Sequence, residues 1–224
     1  MKKIVILTVL SLILTLFVPC HTALAVEFNN ANILTDVDMF DYDSMTLDEI
    51  QNFLEKRNGT LDSYWSVNEH GENLLASELI YNAAQDYQVN PKFILAMLQK
   101  EQSIVEDPNP SQKQYDWAGG YGICDSCGMN DPAVLKFKGF GIQVDHIAGV
   151  QRWYVDHGND GWLKQPGKNY KIDGHSVTIK NQATANLYNY TPHIHGNYVL
   201  WQIWHEWFVQ THPEGSIVKA MESP

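Results

Sequence analysis

The feature that most constrains the fold is an apolar segment that opens at Asn90-Pro91. Asn is favoured as a helix N-cap and Pro at the first helical position, so this pair predicts the start of a helix. The residues from Phe93 to Leu98 are apolar and continue it. We predict that the helix extends to about Glu106, because Pro108 and Pro110 follow and would stop it.

Apolar residues at helical spacing predict further helices on both sides of this one. Thr46 and Glu49 form a capping box, and the short helix behind them ends at Gly59. Longer helices are predicted over about 73–87, 140–156, 182–190 and 197–208, and residues 170–179 alternate around Asp173-Gly174 as in a hairpin. Trp201, Trp204 and Trp207 form a helical stripe that we assign to the core. The fold class is therefore predicted to be mainly α, with a small β-hairpin and an N-terminal helical extension.

The first 25 residues have the layout of a secretory signal peptide. Lys2 and Lys3 precede an apolar run from Ile4 to Val18, and Ala23-Leu24-Ala25 offers a small-x-small cleavage site. An uncleaved anchor and a lipoprotein processed at Cys20 are the alternatives. We predict an exported protein, secreted or associated with the cell wall after cleavage near Ala25.

The charge of the chain is unevenly distributed. The sequence has 15 Lys and Arg against 26 Asp and Glu, a net charge of -11 that argues against binding to nucleic acid. Nine acidic and two basic residues fall within Val26–Asp62. Asp36, Asp38, Asp41 and Asp43 lack the EF-hand order of calcium ligands, so we interpret this stretch as a solvated acidic run and a possible surface for a protein partner.

Cleavage of the signal peptide leaves two cysteines, Cys124 and Cys127. In an exported protein two nearby cysteines most often pair, and a local disulfide is favoured over a zinc site or a redox motif. The His193-x-His195 pair and His205 lack the spacing of a zinc protease site. We predict neither a metal nor a cofactor.

The most informative residue is Glu101, because it is predicted to lie on an apolar stripe of the Asn90-Pro91 helix. It follows Met97 by four residues and Leu98 by three, and Ile104 and Val105 come after it at the same spacing. A carboxyl group held away from water can keep its proton near neutral pH and donate it to a leaving oxygen. The alternative is that Glu101 pairs with a basic side chain.

The lysines of this helix are not expected to be the basic partner of Glu101. Lys92 and Lys100 are assigned to other parts of the helix wheel, so this interpretation requires a partner from elsewhere in the chain.

The segment from Tyr81 to Ser103 resembles the start of the lysozyme-like domain of bacterial lytic transglycosylases and related glucosaminidases. Gly119-Gly120-Tyr121-Gly122, Gly139 to Gln143 and Thr184 to His193 resemble, in the expected order, the Gly-rich, groove and Tyr-bearing segments of those families. The resemblance covers about residues 72–208.

The resemblance implies a role for several residues. Glu101 would be the catalytic acid, and Tyr188, or Tyr190 in its place, the tyrosine that points at it. The family sets Ser directly after Glu, whereas Gln102 intervenes here before Ser103. Ser103 is carried over as a substrate-binding candidate.

Sugars present flat apolar faces edged with hydroxyl groups, which suit aromatic rings and amide side chains. Tyr115, Trp117, Tyr121 and Gln143 are therefore groove candidates, with Tyr190 beside them. A hydrolase generally needs a second carboxylate. Asp116, Asp125 and Asp145 are available, but we interpret them as turn or capping residues, which favours a transglycosylase.

The sequence thus predicts a signal peptide over 1–25, an acidic extension with one amphipathic helix over 26–71, a lysozyme-like catalytic domain over 72–210 and a mobile tail over 211–224. The expected function is cleavage of the β-1,4 bonds of peptidoglycan glycan strands by a lytic transglycosylase with a single catalytic Glu. A hydrolytic glucosaminidase on the same fold and a non-catalytic glycan-binding or adhesion module are the alternatives.

Overall fold

A computed structural model describes residues 27–123, 128–211 and 217–219. The predicted signal peptide and the predicted disulfide between Cys124 and Cys127 lie outside the described residues. Among the residues described, no helix combines the length and apolar character needed to cross a membrane.

The described chain is mainly helical, with a 3-10 turn at Leu61–Ser63. Its helices, α1 to α9, span Asp36–Phe40, Leu47–Glu55, Ala76–Tyr87, Pro91–Gln102, Gln112–Asp116, Pro132–Leu135, Phe140–Asp156, Gln182–Tyr190 and Ile194–Phe208. Its strands, β1 to β6, span Trp65–Val67, Asn73–Leu75, Asn169–Ile172, His175–Thr178, Val209–Thr211 and Ile217–Lys219. The strands pair antiparallel as β1–β2, β3–β4 and β5–β6.

The predicted fold class, mainly α with a small hairpin, is confirmed. Helices α7 and α8 have the predicted bounds, and α9 begins at Ile194 rather than Asn197. The β3–β4 hairpin turns at Asp173 and Gly174, with φ angles of 47° and 84°. Both values are positive, as a two-residue type I′ turn requires.

A second hairpin replaces the predicted start of the helix at Asn73. Strand β2 pairs with β1 in the register Trp65↔Leu75, and α3 begins only at Ala76. The Asn68 side chain accepts hydrogen bonds from the backbone of His70 and Glu72, 2.9 Å each, and so stabilises the turn between the strands. Asx turns of this kind are a local alternative to helix.

Helix α4 ends at Gln102 and not near Glu106 as predicted. Ser103 adopts a left-handed conformation with φ 55°, which terminates the helix. Ile104 and Val105 are buried, but they lie beyond the end of α4, so they do not continue the stripe that contains Glu101.

The acidic extension shares one hydrophobic core with the rest of the described chain. The Ile33 amide donates to the hydroxyl of Thr184 at 3.0 Å, and Asp36 accepts from the backbone of Ala183 at 2.8 Å. The Met39 carbonyl accepts from the backbone of Asn90 at 2.8 Å. The first of the extension's aspartates therefore helps to cap α8.

Helix α9 packs on α4, and α3 packs on α7, so α4 is buried along most of its length. The tryptophan stripe of α9 meets this core. Trp204 is buried, while Trp201 and Trp207 are partly buried and pack against it. The stripe is confirmed as a core feature.

Candidate functional site

Glu101 lies in the last turn of α4 and is only partly buried, with 22% of its side chain exposed. Lys100 Nζ lies 2.6 Å from its Oε1 atom. The alternative of a basic partner is therefore the one the structure shows, and the prediction that this partner would come from elsewhere in the chain was wrong. A long side chain near the end of a helix can bend past its own Cβ direction and reach a neighbour.

Lys100 is itself more buried than Glu101, with 7% of its side chain exposed. Its ammonium also donates to the hydroxyl of Thr191 at 2.7 Å, the residue that follows α8. Two acceptors from different elements hold the ammonium in place. The pair fixes Glu101 Oε1 and leaves Oε2 facing another part of the molecule.

Glu101 Oε2 faces the Gly-rich segment between α5 and α6. Gly120 has a φ of 70°, and a β-carbon there would lie 3.3 Å from Oε2. Only glycine adopts this conformation readily, and only glycine leaves this space open. The Gly-rich segment that follows the Glu along the chain therefore lies beside Glu101 in the structure.

Gln143 forms hydrogen bonds to the backbone of the Gly-rich segment and holds it in position. Its Oε1 atom accepts from the backbone of Gly119 and Tyr121 at 3.1 and 3.0 Å, and its Nε2 atom donates to the carbonyls of Tyr121 and Phe137 at 3.0 and 2.7 Å. Gln143 is fully buried. The prediction that it binds substrate is corrected, since every amide group is used inside the protein and the residue positions the segment.

The two candidate tyrosines of α8 have different surroundings. Tyr188 is fully buried and donates from its hydroxyl to the carbonyl of Asn30 at 2.9 Å, in the N-terminal extension. Tyr190 donates to the Gly119 carbonyl at 2.7 Å. Burial raises the pKa of Tyr190 well above its ordinary value, and the negative charge of Glu101 adds to this. Tyr190, the substitute, is therefore the tyrosine beside the acid, and the choice of Tyr188 is corrected.

Two further groove candidates are core residues. Tyr115 is buried, stacks on Tyr64 with 3.8 Å between ring centroids, and shares a 2.5 Å hydrogen bond with the Thr60 hydroxyl. Trp117 is buried with 4% exposed. Neither ring offers a face to a sugar, so their prediction as groove residues is corrected. Ser103 is exposed and caps the end of α4, two residues after the acid in sequence.

Tyr121 is the groove candidate that lines an open cavity. This aromatic cavity has a volume of about 500 Å³. Its walls come from the β1–β2 turn, α3, the Gly-rich segment, α7 and the chain after α7: Glu69, Tyr87, Tyr121, Asp145, His146, Gly149, Val150, Trp153, Tyr154 and Trp162. Tyr121 stacks on His146 with 4.5 Å between centroids.

The aromatic cavity and Glu101 are linked through Tyr190. Glu101 does not line the cavity, but the charges of Glu101, Tyr154 and Tyr121 all contribute to the raised pKa of Tyr190. Tyr190 is thus close to the acid and to two cavity rings.

Asp145 is the functional candidate that the sequence analysis undervalued. It is neither a turn nor a cap, since it lies within α7 and accepts a 3.0 Å hydrogen bond from the Tyr87 hydroxyl. Burial raises its pKa to about 6, and the nearby charges of Glu69 and Asp86 add to this. The same burial lowers the pKa of His146, which favours its neutral form.

A signal for this arrangement is present in the sequence. Gly149 stands one helical turn after Asp145, and a β-carbon there would lie 3.1 Å from the Tyr87 ring. A glycine four residues after an aspartate in a long helix opens room for a side chain from a neighbouring helix. The sequence alone does not say that this side chain is Tyr87.

The other polar clusters have structural roles. Asp116 pairs with Lys138 at 3.3 Å, and Asp173 accepts from His193 and from the backbone of Ile194 at 2.8 and 2.7 Å. Across the residues that the structure describes, no group of three or more His, Cys, Asp or Glu side chains is arranged to hold a metal ion.

Comparison with known proteins finds one similarity. Residues 32–131 match the family described as LasA, N-terminal domain. The match takes in part of the predicted extension, all of α3 and α4 with Glu101, and the Gly-rich segment, and it ends before α7 and Tyr190. No curated protein and no solved structure gives a significant match.

Proposed function

We propose that this chain cleaves the β-1,4 glycosidic bonds of peptidoglycan glycan strands, with Glu101 as the proton-transferring group. The observation that carries the proposal is the position of Glu101 Oε2. It faces the backbone of Gly120, which has no side chain, Glu101 is partly exposed, and Tyr190 lies close both to Glu101 and to two rings of the aromatic cavity. Aromatic rings leading to a carboxyl group form a site suited to a sugar chain.

The geometry assigns different tasks to the two carboxyl oxygens. Oε1 is held by Lys100, and Oε2 is the atom that a glycosidic oxygen can approach. In the proposed reaction Oε2 donates a proton to the leaving oxygen as the bond breaks. The Glu101 carboxylate then takes the proton from the attacking hydroxyl group.

A lytic transglycosylase is the preferred form of this proposal. In that reaction the attacking hydroxyl is the 6-hydroxyl of the same sugar, so no second protein carboxylate is required. Asp145 lies in the aromatic cavity and is hydrogen-bonded to Tyr87, and it gives the hydrolytic alternative its specific candidate. A hydrolase would use such a carboxylate to activate water or to attack the sugar.

The test is digestion of purified peptidoglycan by the chain from Val26 to Pro224, with mass spectrometry of the released fragments. Anhydro-sugar ends support the transglycosylase and reducing ends support the hydrolase. Glu101→Gln is expected to lower the rate by at least about 1,000-fold, since loss of a general acid-base group removes most of the chemical acceleration.

Glu106→Gln is the matched control. Glu106 lies five residues further on and pairs with Arg57 at 3.0 Å, away from the Gly-rich segment. This variant should keep near-normal activity. Full activity of Glu101→Gln, in a variant with unchanged thermal melting, would overturn the proposal. Wall binding with no soluble product from the unmodified chain would instead support the non-catalytic glycan-binding module.

A further inference from the structure

The aromatic cavity combines open ring faces with uncompensated negative charge. Trp162 is 70% exposed and Trp153 is 38% exposed, and their rings lie 5.8 Å apart between centroids. Exposed tryptophans side by side at a cavity are unusual, because large apolar side chains are normally buried. These two rings are placed to contact a ligand.

The charge on the cavity walls is negative. Asp145 and Glu69 line the cavity, and Asp86 acts on Asp145 from α3. No lysine or arginine is among the lining residues. His146 is on the cavity wall, His70 acts on Asp145 and Lys136 acts on His146. The Arg152 guanidinium donates to the backbone carbonyl of Tyr87 at 3.1 Å.

Asp145 is the carboxyl group whose charge is least compensated. Its carboxylate accepts a hydrogen bond from the neutral Tyr87 hydroxyl, while the negative charges of Glu69 and Asp86 repel its own negative charge. Lys100 shows the contrast, since it supplies an ammonium to Glu101 at 2.6 Å. A positively charged ligand would supply Asp145 with the partner that the protein does not.

From this combination we propose that the aromatic cavity binds a sugar unit with a free amino group, a glucosamine residue that lacks its N-acetyl group. The ammonium would lie between Asp145 and Glu69, where ion pairing and the faces of Trp153 and Trp162 both favour a cation. The apolar face of the sugar would stack on the same rings. The sugar part of this inference rests on the proposed glycan-cleaving function.

An N-acetylated sugar is the matched comparison, because it has the same ring and no charge. Its amide would leave Asp145 without a counter-charge in a partly desolvated place, which carries a free-energy cost. The site would therefore favour partly de-N-acetylated glycan strands over fully acetylated ones. The volume of about 500 Å³ lies within the range usual for small-ligand pockets.

The test is calorimetric titration of the chain from Val26 to Pro224, at pH 7 and low salt, with two probes. One probe is the β-1,4-linked glucosamine tetramer and the other is the N-acetylglucosamine tetramer. The glucosamine tetramer is expected to bind at least about tenfold more tightly, the scale of one partly desolvated charge pair.

Three variants locate the effect. Asp145→Asn keeps an acceptor for the Tyr87 hydroxyl and should reduce the preference to less than about twofold. Trp162→Ala should weaken both probes, and the glucosamine tetramer by the larger factor, since it also loses a ring face that favours its ammonium. Asp43→Asn is the control for net charge, since Asp43 is exposed on the segment between α1 and α2, and it should retain the full preference.

Equal affinity for the two probes, absence of binding by either, or an unchanged preference in Asp145→Asn would each overturn this inference. Equal affinity, or an unchanged preference in Asp145→Asn, leaves the proposed glycosidic cleavage standing, since that is tested separately by digestion of peptidoglycan with Glu101→Gln. Conversely, an inactive chain that still prefers the glucosamine tetramer would overturn the proposed cleavage and leave the amino-sugar site standing.

Discussion

Two carboxyl groups on neighbouring helices have opposite environments. Glu101, at the end of α4, has an ammonium 2.6 Å away and a glycine in front of its free oxygen. Asp145, within α7, has a tyrosine hydroxyl, two repelling carboxylates and no lysine or arginine on the cavity wall around it. The first charge has a lysine partner, and the second is the charge with which the proposed amino sugar would pair. This difference suggests chemistry at Glu101 and recognition at Asp145.

The segment that separates these two regions depends on Gln143, so Gln143→Leu should have the largest effect. The variant leaves the buried backbone groups bonded to the amide without partners, and each such group costs about 1–3 kcal/mol. We expect a loss of about 3–5 kcal/mol of unfolding free energy and loss of wall cleavage. Urea denaturation and the digestion assay measure both.

Gln151→Leu is the control on the same helix. Gln151 is fully buried, and within the described part of the chain its two amide atoms have no hydrogen-bond partner. Its replacement should be neutral or stabilising, since it removes unpaired polar atoms. A similar loss in both variants would show that helix packing, and not the hold on the Gly-rich segment, explains the result.

Lys100→Met tests the Glu101 side of the comparison, where an ammonium balances the charge of the carboxylate. The ammonium fixes Glu101 Oε1 and the Thr191 hydroxyl, so its removal should release Glu101 from its position. We expect kcat for glycan cleavage to fall by about 10–100-fold with little change in KM, the pattern of a lost positioning contact. Lys100→Arg, which keeps the charge, should recover part of the activity. Equal losses in kcat and substrate binding would contradict a positioning role.

The environment of Asp145 predicts a pH-dependent contribution to the free energy of unfolding. The folded-state pKa of Asp145 is about 6, above its ordinary value of 3.8. At pH values between the two, the folded protein keeps a proton on Asp145 that the unfolded chain has released. Its contribution to stability is fully present below pH 3.8 and is lost as the pH rises through 6. Asp145→Asn should therefore stabilise the protein at pH 7 by about 1–2 kcal/mol, a value reduced for partial exposure, and give no gain near pH 4.

Thermal melting at the two pH values measures this difference. Asp43→Asn, which removes a carboxylate from an exposed position, should change neither melting temperature by a comparable amount. A gain in Asp145→Asn of equal size at both pH values would assign the effect to packing and not to the charge.

The last pair of variants has the smallest expected effect on the free energy of unfolding. It separates the effect of backbone strain at Gly120 from the effect of placing a side chain close to Glu101. Gly120→Ala and Gly174→Ala both place a side chain at positive φ, 70° and 84°, and each should cost about 1 kcal/mol of unfolding free energy. Open space surrounds Gly174, whereas Glu101 Oε2 lies in front of Gly120. Only Gly120→Ala should reduce glycan cleavage, and equal activity of the two variants would place the substrate elsewhere.

The six helices of nine or more residues and the β3–β4 hairpin could be predicted from the sequence because their signals are local, whereas the short helices α1, α5 and α6 were not predicted. The Thr46 capping box, the Asn90-Pro91 start and the Asp173-Gly174 turn each specify backbone conformation within a few residues. The β1–β2 hairpin was missed because its strands are short and the following helix has an apolar period that extends back over them. The end of α4 was missed because a left-handed Ser103 has no strong sequence signal.

The site was predicted unevenly for a similar reason. Glu101 stands out from its apolar neighbours, and the Gly-rich segment stands out by composition, so both could be found along the chain. The sequence did not distinguish Tyr188 from Tyr190, because neighbours two apart on a helix point in different directions that only packing defines. Tyr115, Trp117 and Gln143 were taken for ligand contacts, since burial cannot be read from residue type.

The sequence by itself determined that most of the longer helices exist, both bounds of α7 and α8, which hairpin closes at Asp173, and that a glutamate lies next to apolar residues of α4. Tertiary structure decided that Lys100 pairs with this glutamate, that Tyr190 lies beside it, and that Asp145 faces a cavity without a lysine or arginine on its wall. The physical reason is the separation along the chain over which each kind of interaction acts. Caps and turns are set by bonds over three or four residues, whereas burial and charge pairing depend on side chains that folding brings together from distant parts of the chain.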